Sequence, residues 1–131
     1  MPRQLFAILI ATVWSVLSEF FRNELLFKRV WVDHFQSLGL AFPSAPINGA
    51  IWGLWSLAFV LALRIILTRF SLVSGALLAW LMGFVLMWLV TGNLLVLPFS
   101  LLAYAIPLSL LEVFVAAWLL LKLTRQPEWT H

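Results

Sequence analysis

Four long apolar runs constrain this chain more than any other feature. A helix needs about 20 predominantly apolar residues to cross the hydrocarbon core of a bilayer. The first run covers about residues 5–21, the second 46–67 and the third 72–90. The last stretch, Leu94 to Leu121, has 28 residues. As one straight helix it would reach roughly 42 Å, beyond a hydrocarbon core of about 30 Å. Pro98 and Pro107 offer places to end or kink it. Residues 94–102 are therefore expected as an interfacial or re-entrant lead-in, and 103–122 as the fourth crossing.

Composition points the same way. Of 131 residues, 64% are hydrophobic and 10% charged, against about 45–50% and about 25% in an average soluble domain. A soluble fold of this size still exposes a large share of its surface and could not hide so much apolar matter. The expected fold is an all-α integral membrane protein forming one domain over residues 1–131, with the lipid bilayer as its first partner. The opening Met1-Pro2-Arg3-Gln4 also suits a signal peptide. Val16 and Ser18 make a poor small-residue cleavage pair, however, and aromatics follow at once, which favours a retained first helix.

One sizeable segment lies outside the four runs. In it Phe27, Val30, Trp31, His34, Phe35 and Leu38 recur at three- and four-residue steps, giving one apolar face of a helix over about 24–38. Such a helix is expected to lie in the interface plane. Gly39 is its expected stop, and Phe42-Pro43-Ser44-Ala45-Pro46 a turn into the second span with Ser44 as N-cap. Thr68-Arg69-Phe70-Ser71 leaves room only for a tight hairpin between the second and third spans.

The charges read as a topology code. Four crossings put Arg3, Arg64, Arg69, Lys122 and Arg125 on one side and Arg22, Lys28 and Arg29 on the other. Five against three favours both termini in the cytoplasm. The formal charge of +3 is spread along span edges, not gathered on one face, so nucleic acid is not an expected partner.

Small residues at four-residue steps mark faces where membrane helices approach closely. The first span has Ala7, Ala11 and Ser15 with Glu19 next on the stripe; the second Gly49 and Gly53; the third Gly75, Ala79 and Gly83; the fourth Ala105, Ser109, Glu112 and Ala116. A compact bundle, a homo-oligomer seam and a partner membrane helix are all compatible with these stripes. Trp31, Trp52, Trp55 and Trp88 are expected near the outer interface, Trp118 and Trp129 near the inner one, and Trp14 and Trp80 deeper.

An ionisable residue inside a membrane is a functional candidate because burying its charge is costly. Glu112 is the clearest, about 15 Å by helix rise from Lys122, with Ser109 three positions before it. It serves either as a carboxyl locking helices together or as a proton- or cation-coupled site. Glu19 stands near the outer end of its span, within reach of Arg22 and Asn23, and is expected to form a local surface-type pair. Glu19, Asn48 and Asn93 come to similar depth, where they would line a polar pocket or cap helix ends. Arg64 is accounted for by snorkelling and reaches Glu112 only if their helices are neighbours.

Enzyme signatures are missing: no metal-ligand spacing, no nucleophile elbow, no P-loop and no dinucleotide fingerprint. No cofactor is implied. Asp33 and His34 point about 100° apart on a helix, which weakens an acid–base pair. The expected function is that of a structural or accessory membrane protein that binds helices; the alternative is a small ion- or proton-coupled transporter working as an oligomer with Glu112 in its pathway.

The run Asn23-Glu24-Leu25-Leu26-Phe27-Lys28-Arg29-Val30-Trp31, leading to Leu38-Gly39-Leu40, resembles a group of small bacterial membrane proteins classed only as a domain of unknown function. In that group a phenylalanine–lysine–tryptophan segment follows the first helix. The likeness continues more loosely through Asn48-Gly49-Ala50-Ile51-Trp52-Gly53 and Pro107-Leu108-Ser109-Leu110-Leu111-Glu112. It covers most of the chain as architecture. The resemblance implies four helices and a bacterial inner-membrane location, and it brings no activity.

Overall fold

The computed structural model describes residues 2–124, which are helical with no strand among them. Helix α1 (Pro2–Phe20) opens on a proline, whose missing N–H costs nothing in a first turn. It runs on without a break into a π-helical turn, Phe21–Leu26, where each turn holds one residue more than an α-turn. Phe27 closes that turn by donating its N–H to the Arg22 carbonyl (3.0 Å). The continuous helix therefore ends at Leu26 rather than near Phe21, as the sequence suggested.

Helix α2 (Lys28–Ser37) follows and buries none of its residues fully. It stops as expected at Gly39, whose φ of +75° is a left-handed conformation that glycine adopts without strain. Gly39 donates to the Gln36 carbonyl and Leu40 to that of Phe35, the paired bonds of a Schellman ending. Trp31, Phe35 and Phe42 pack ring on ring with centroids 5.2–6.2 Å apart, folding the loop back against α2.

Helix α3 (Pro46–Ile66) has Ala45, not Ser44, at its N-cap. Asn48 takes the capping role by reaching back to accept the Ala45 N–H at 3.0 Å. After a turn, the Ser71 hydroxyl accepts the Ser74 N–H to start α4 (Leu72–Trp80). A second π-turn, Leu81–Val85, joins α4 to α5 (Leu86–Asn93). The lead-in expected over 94–102 is a bend followed by one 3₁₀ turn, Phe99–Leu101. Its Leu97 and Leu101 are buried with Ala105 beneath Phe27, Val30 and Trp31. Helix α6 (Leu102–Thr124) then runs unbroken past Pro107. Arg125, Trp129 and His131 lie outside the described residues.

Among the described residues four helical stretches are long and apolar enough to cross a membrane: Pro2–Leu26, Pro46–Ile66, Leu72–Asn93 and Phe99–Thr124. Helix α6 is the central member, packing against α1 and α4, while α3 closes the bundle against α1. Ala7 and Ala11 of α1 meet the α6 side through a core that includes Val113, Ala116, Ala117 and Leu120. Small side chains let these two backbones approach closely. Gly75 and Gly83 are equally tight, since a Cβ would stand 2.8 Å from a Leu67 methyl and 2.5 Å from the Phe59 ring respectively. Ala79 is buried on the same face. Gly49 and Gly53 differ: nothing within the described chain lies against them. In α3 the inward face is built from Ser56, Phe59, Val60 and Leu63 instead.

The outside is apolar. Leu9, Leu17, Leu54, Ile65, Leu89 and Leu111 are all more than half exposed, whereas a soluble monomer seldom shows a contiguous apolar patch beyond a few hundred Å².

Candidate functional site

The charged centre of the molecule sits at the end of the first helical stretch. At three- and four-residue steps Arg22 and Asn23 continue the face that carries Ala7, Ala11, Ser15 and Glu19, and all six are buried. Helical side chains also lean toward the N-terminus of their helix, so Arg22 reaches back into the bundle. Its Nη2 lies 2.9 Å from Glu19 Oε1, and its Nη1 donates to Glu112 Oε1 at 3.3 Å. Glu19 and Arg22 are each 5% exposed and Glu112 is completely enclosed. The local pair expected of Glu19 with Arg22 and Asn23 forms, but it is buried and not at the surface, because that face of the first helical stretch packs against α6. Glu112 finds its cation in Arg22, not Arg64.

Two carboxylates share one guanidinium, and indoles surround them. Glu19 Oε2 accepts from Asn23 Nδ2 (3.1 Å) and from Trp52 Nε1 (3.2 Å), and Asn23 Oδ1 accepts from Trp31 Nε1 (3.0 Å). Trp14 Nε1 donates to the Glu112 carbonyl at 2.9 Å. The Phe84 ring lies under the Arg22 guanidinium, 5.7 Å from its centroid. Glu112 Oε2 is buried with no hydrogen-bond partner among the described residues. Burying ions costs several kcal/mol each unless pairing and hydrogen bonds offset it. Among the described residues each carboxylate keeps one buried oxygen without a hydrogen bond, Glu19 Oε1, which has only its ion pair with Arg22, and Glu112 Oε2.

The other expected site residues separate. Ser109 is buried one turn from Glu112, where it accepts from Trp80 Nε1 at 2.9 Å and donates to the Ile106 carbonyl. Asn48 is half-buried at the mouth of a groove next to Glu19. Asn93 is exposed at the end of α5 and lines neither cavity beside the cluster. Its place is taken by Asn23. The sequence showed the i, i+3, i+4 spacing of Glu19, Arg22 and Asn23, but nothing in it named α6 as their partner. His34 is committed elsewhere: its Nε2 donates to the Leu95 carbonyl at 2.8 Å, tying α2 to the α5–α6 loop. Leu95 itself is held at φ +64°. Among the described residues no three histidine or carboxylate groups gather to hold a metal.

The cluster opens on two cavities. A groove of about 650 Å³ runs between α1, α2 and the start of α3, with Trp31, Phe35, Phe42, Trp52 and Trp55 in its walls. A smaller space of about 120 Å³ lies on the other side, floored by Glu19, Arg22 and Asn23 under Leu97 and Leu101. Glu19 and Asn23 border both.

No protein-family model matches this chain, and neither a curated protein nor a solved structure is found to match it. The likeness carried by Asn23–Trp31 gains no support from these comparisons.

Proposed function

We propose that the chain is an integral protein of a bacterial inner membrane that works as a small proton- or ion-coupled carrier, with the Glu19–Arg22–Glu112 cluster as its centre. One observation carries the reading: Glu19 belongs at once to the buried ion cluster and to the wall of the groove. The cluster has charge −1 when both carboxylates are ionised and zero when one holds a proton. Among the described residues the charged groups facing Glu112 are Glu19 and Arg22; α4 and α5 carry no charged residue, and the one charge of α3 is Arg64 in its last turn. A single proton therefore changes the field at the base of the groove, where a solute would sit.

Both termini are assigned to the cytoplasm. With Arg22 inside the bundle, only Lys28 and Arg29 remain on the side opposite the five cations of the termini and the α3–α4 hairpin, which strengthens the positive-inside argument.

Infrared spectroscopy of the reconstituted protein tests the carrier. A protonated-carboxyl stretch that comes and goes with pH, and is lost in Glu112→Gln, is expected. A spectrum identical in wild type and Glu112→Gln at every pH would leave the second reading, a structural or accessory helix bundle. That reading is favoured by the same ion pair's bridge between α1 and α6 and by the uncovered Gly49–Gly53 face of α3.

A further inference from the structure

We propose that the groove beside Glu19 is a binding site for an amphipathic organic cation; this rests on the carrier reading above and names its solute. The volume, about 650 Å³, falls in the range of small-molecule sites. The walls are rich in aromatic rings: Trp31, Phe35 and Phe42 form one packed group, and Trp52 and Trp55 of α3 also line the groove. Aromatic faces attract weakly hydrated cations, and tryptophan does so best.

Charge points to the same ligand. The ionised groups bordering the groove are Glu19, Glu24 and Lys28. Lys28 is occupied by Glu24 at 3.1 Å on the rim, while Glu19 shares Arg22 with Glu112. With both carboxylates of the cluster ionised, the sum is one negative charge. A bound organic cation balances it, and so does a proton, so the two compete at the cluster.

A bare metal ion fits poorly, because hard cations need six or more oxygen ligands and Glu19 Oε2 already accepts two hydrogen bonds. A zwitterionic lipid would bring a phosphate against a site of the same sign.

The test is equilibrium binding of tetraphenylphosphonium to the purified full chain in detergent, with tetraphenylborate as a probe of the same shape and opposite charge. The phosphonium is expected to bind about tenfold or more tighter than the borate, to release a proton on binding, and to weaken about tenfold in Glu19→Gln. Phe35→Ala is the second variant, on a helix with no fully buried residue, and should weaken phosphonium binding with helicity unchanged. Equal binding of the borate, or phosphonium binding unaltered by both variants, overturns the proposal. So does displacement of the phosphonium by phosphatidylethanolamine, which would make the occupant a lipid. If the carboxyl band titrates while no phosphonium binds, the carrier reading stands and the solute class is wrong.

Discussion

Arg22 divides one guanidinium between two carboxylates, and this unequal sharing ranks the substitutions around it. Replacing Arg22 with Met leaves Glu19 and Glu112 facing each other without a cation, a loss of about 3–5 kcal/mol for a broken buried pair. Glu112→Gln removes the surplus charge and leaves Glu19 with Arg22, so its cost is expected within about 1 kcal/mol. Thermal unfolding in detergent checks the order: the Arg22→Met midpoint should fall well below that of Glu112→Gln, and equal midpoints would mean the pair contributes little. Glu112 was legible from the sequence because a lone carboxylate deep in an apolar run stands out. Its partner was not. Arg22 sits at the end of its run, where a cation is ordinarily explained by the interface, and only the packing of its face against α6, through Glu112 90 positions away, encloses it.

At the scale of elements, the four small-residue stripes were equally visible in the sequence, yet the structure uses them unequally. A stripe records that a helix can be approached closely and does not name the approaching surface. A Cβ at Gly83 would meet the Phe59 ring, while at Gly49 and Gly53 it would meet nothing within 4 Å among the described residues. Gly83→Ala is accordingly expected to destabilise by about 1–3 kcal/mol through overpacking. Gly53→Ala should be neutral or slightly stabilising, because glycine is the poorer helix former. Unfolding midpoints of the two variants separate these outcomes. The π-turns were beyond reach of the sequence, since the apolar periodicity of 17–26 suits either helix type. The Schellman ending at Gly39 was legible, because a glycine after an amphipathic helix has a specific backbone role.

For the whole molecule, the apolar exterior and the charge distribution make predictions about placement. The chain has no cysteine, so each introduced thiol is a unique label. Ser37→Cys at the end of α2 should react with an impermeant maleimide on intact inverted-free cells, and Thr68→Cys in the α3–α4 turn only after permeabilisation. The reverse pattern would invert the assigned orientation. A packed bundle of this size encloses no wide pore, so a carrier is expected to act as an oligomer; light scattering in detergent should give a mass above 14.9 kDa per protein particle, and a strict monomer would count against transport.

The indole hydrogen bonds have a practical consequence. Trp14, Trp31 and Trp52 donate to the backbone of Glu112, to Asn23 and to Glu19, so three chromophores are wired to one polar centre. Indole emission responds to nearby charge. The protein therefore carries its own optical reporter, and a change in the charge of the cluster is readable as a shift in intrinsic fluorescence with no label attached.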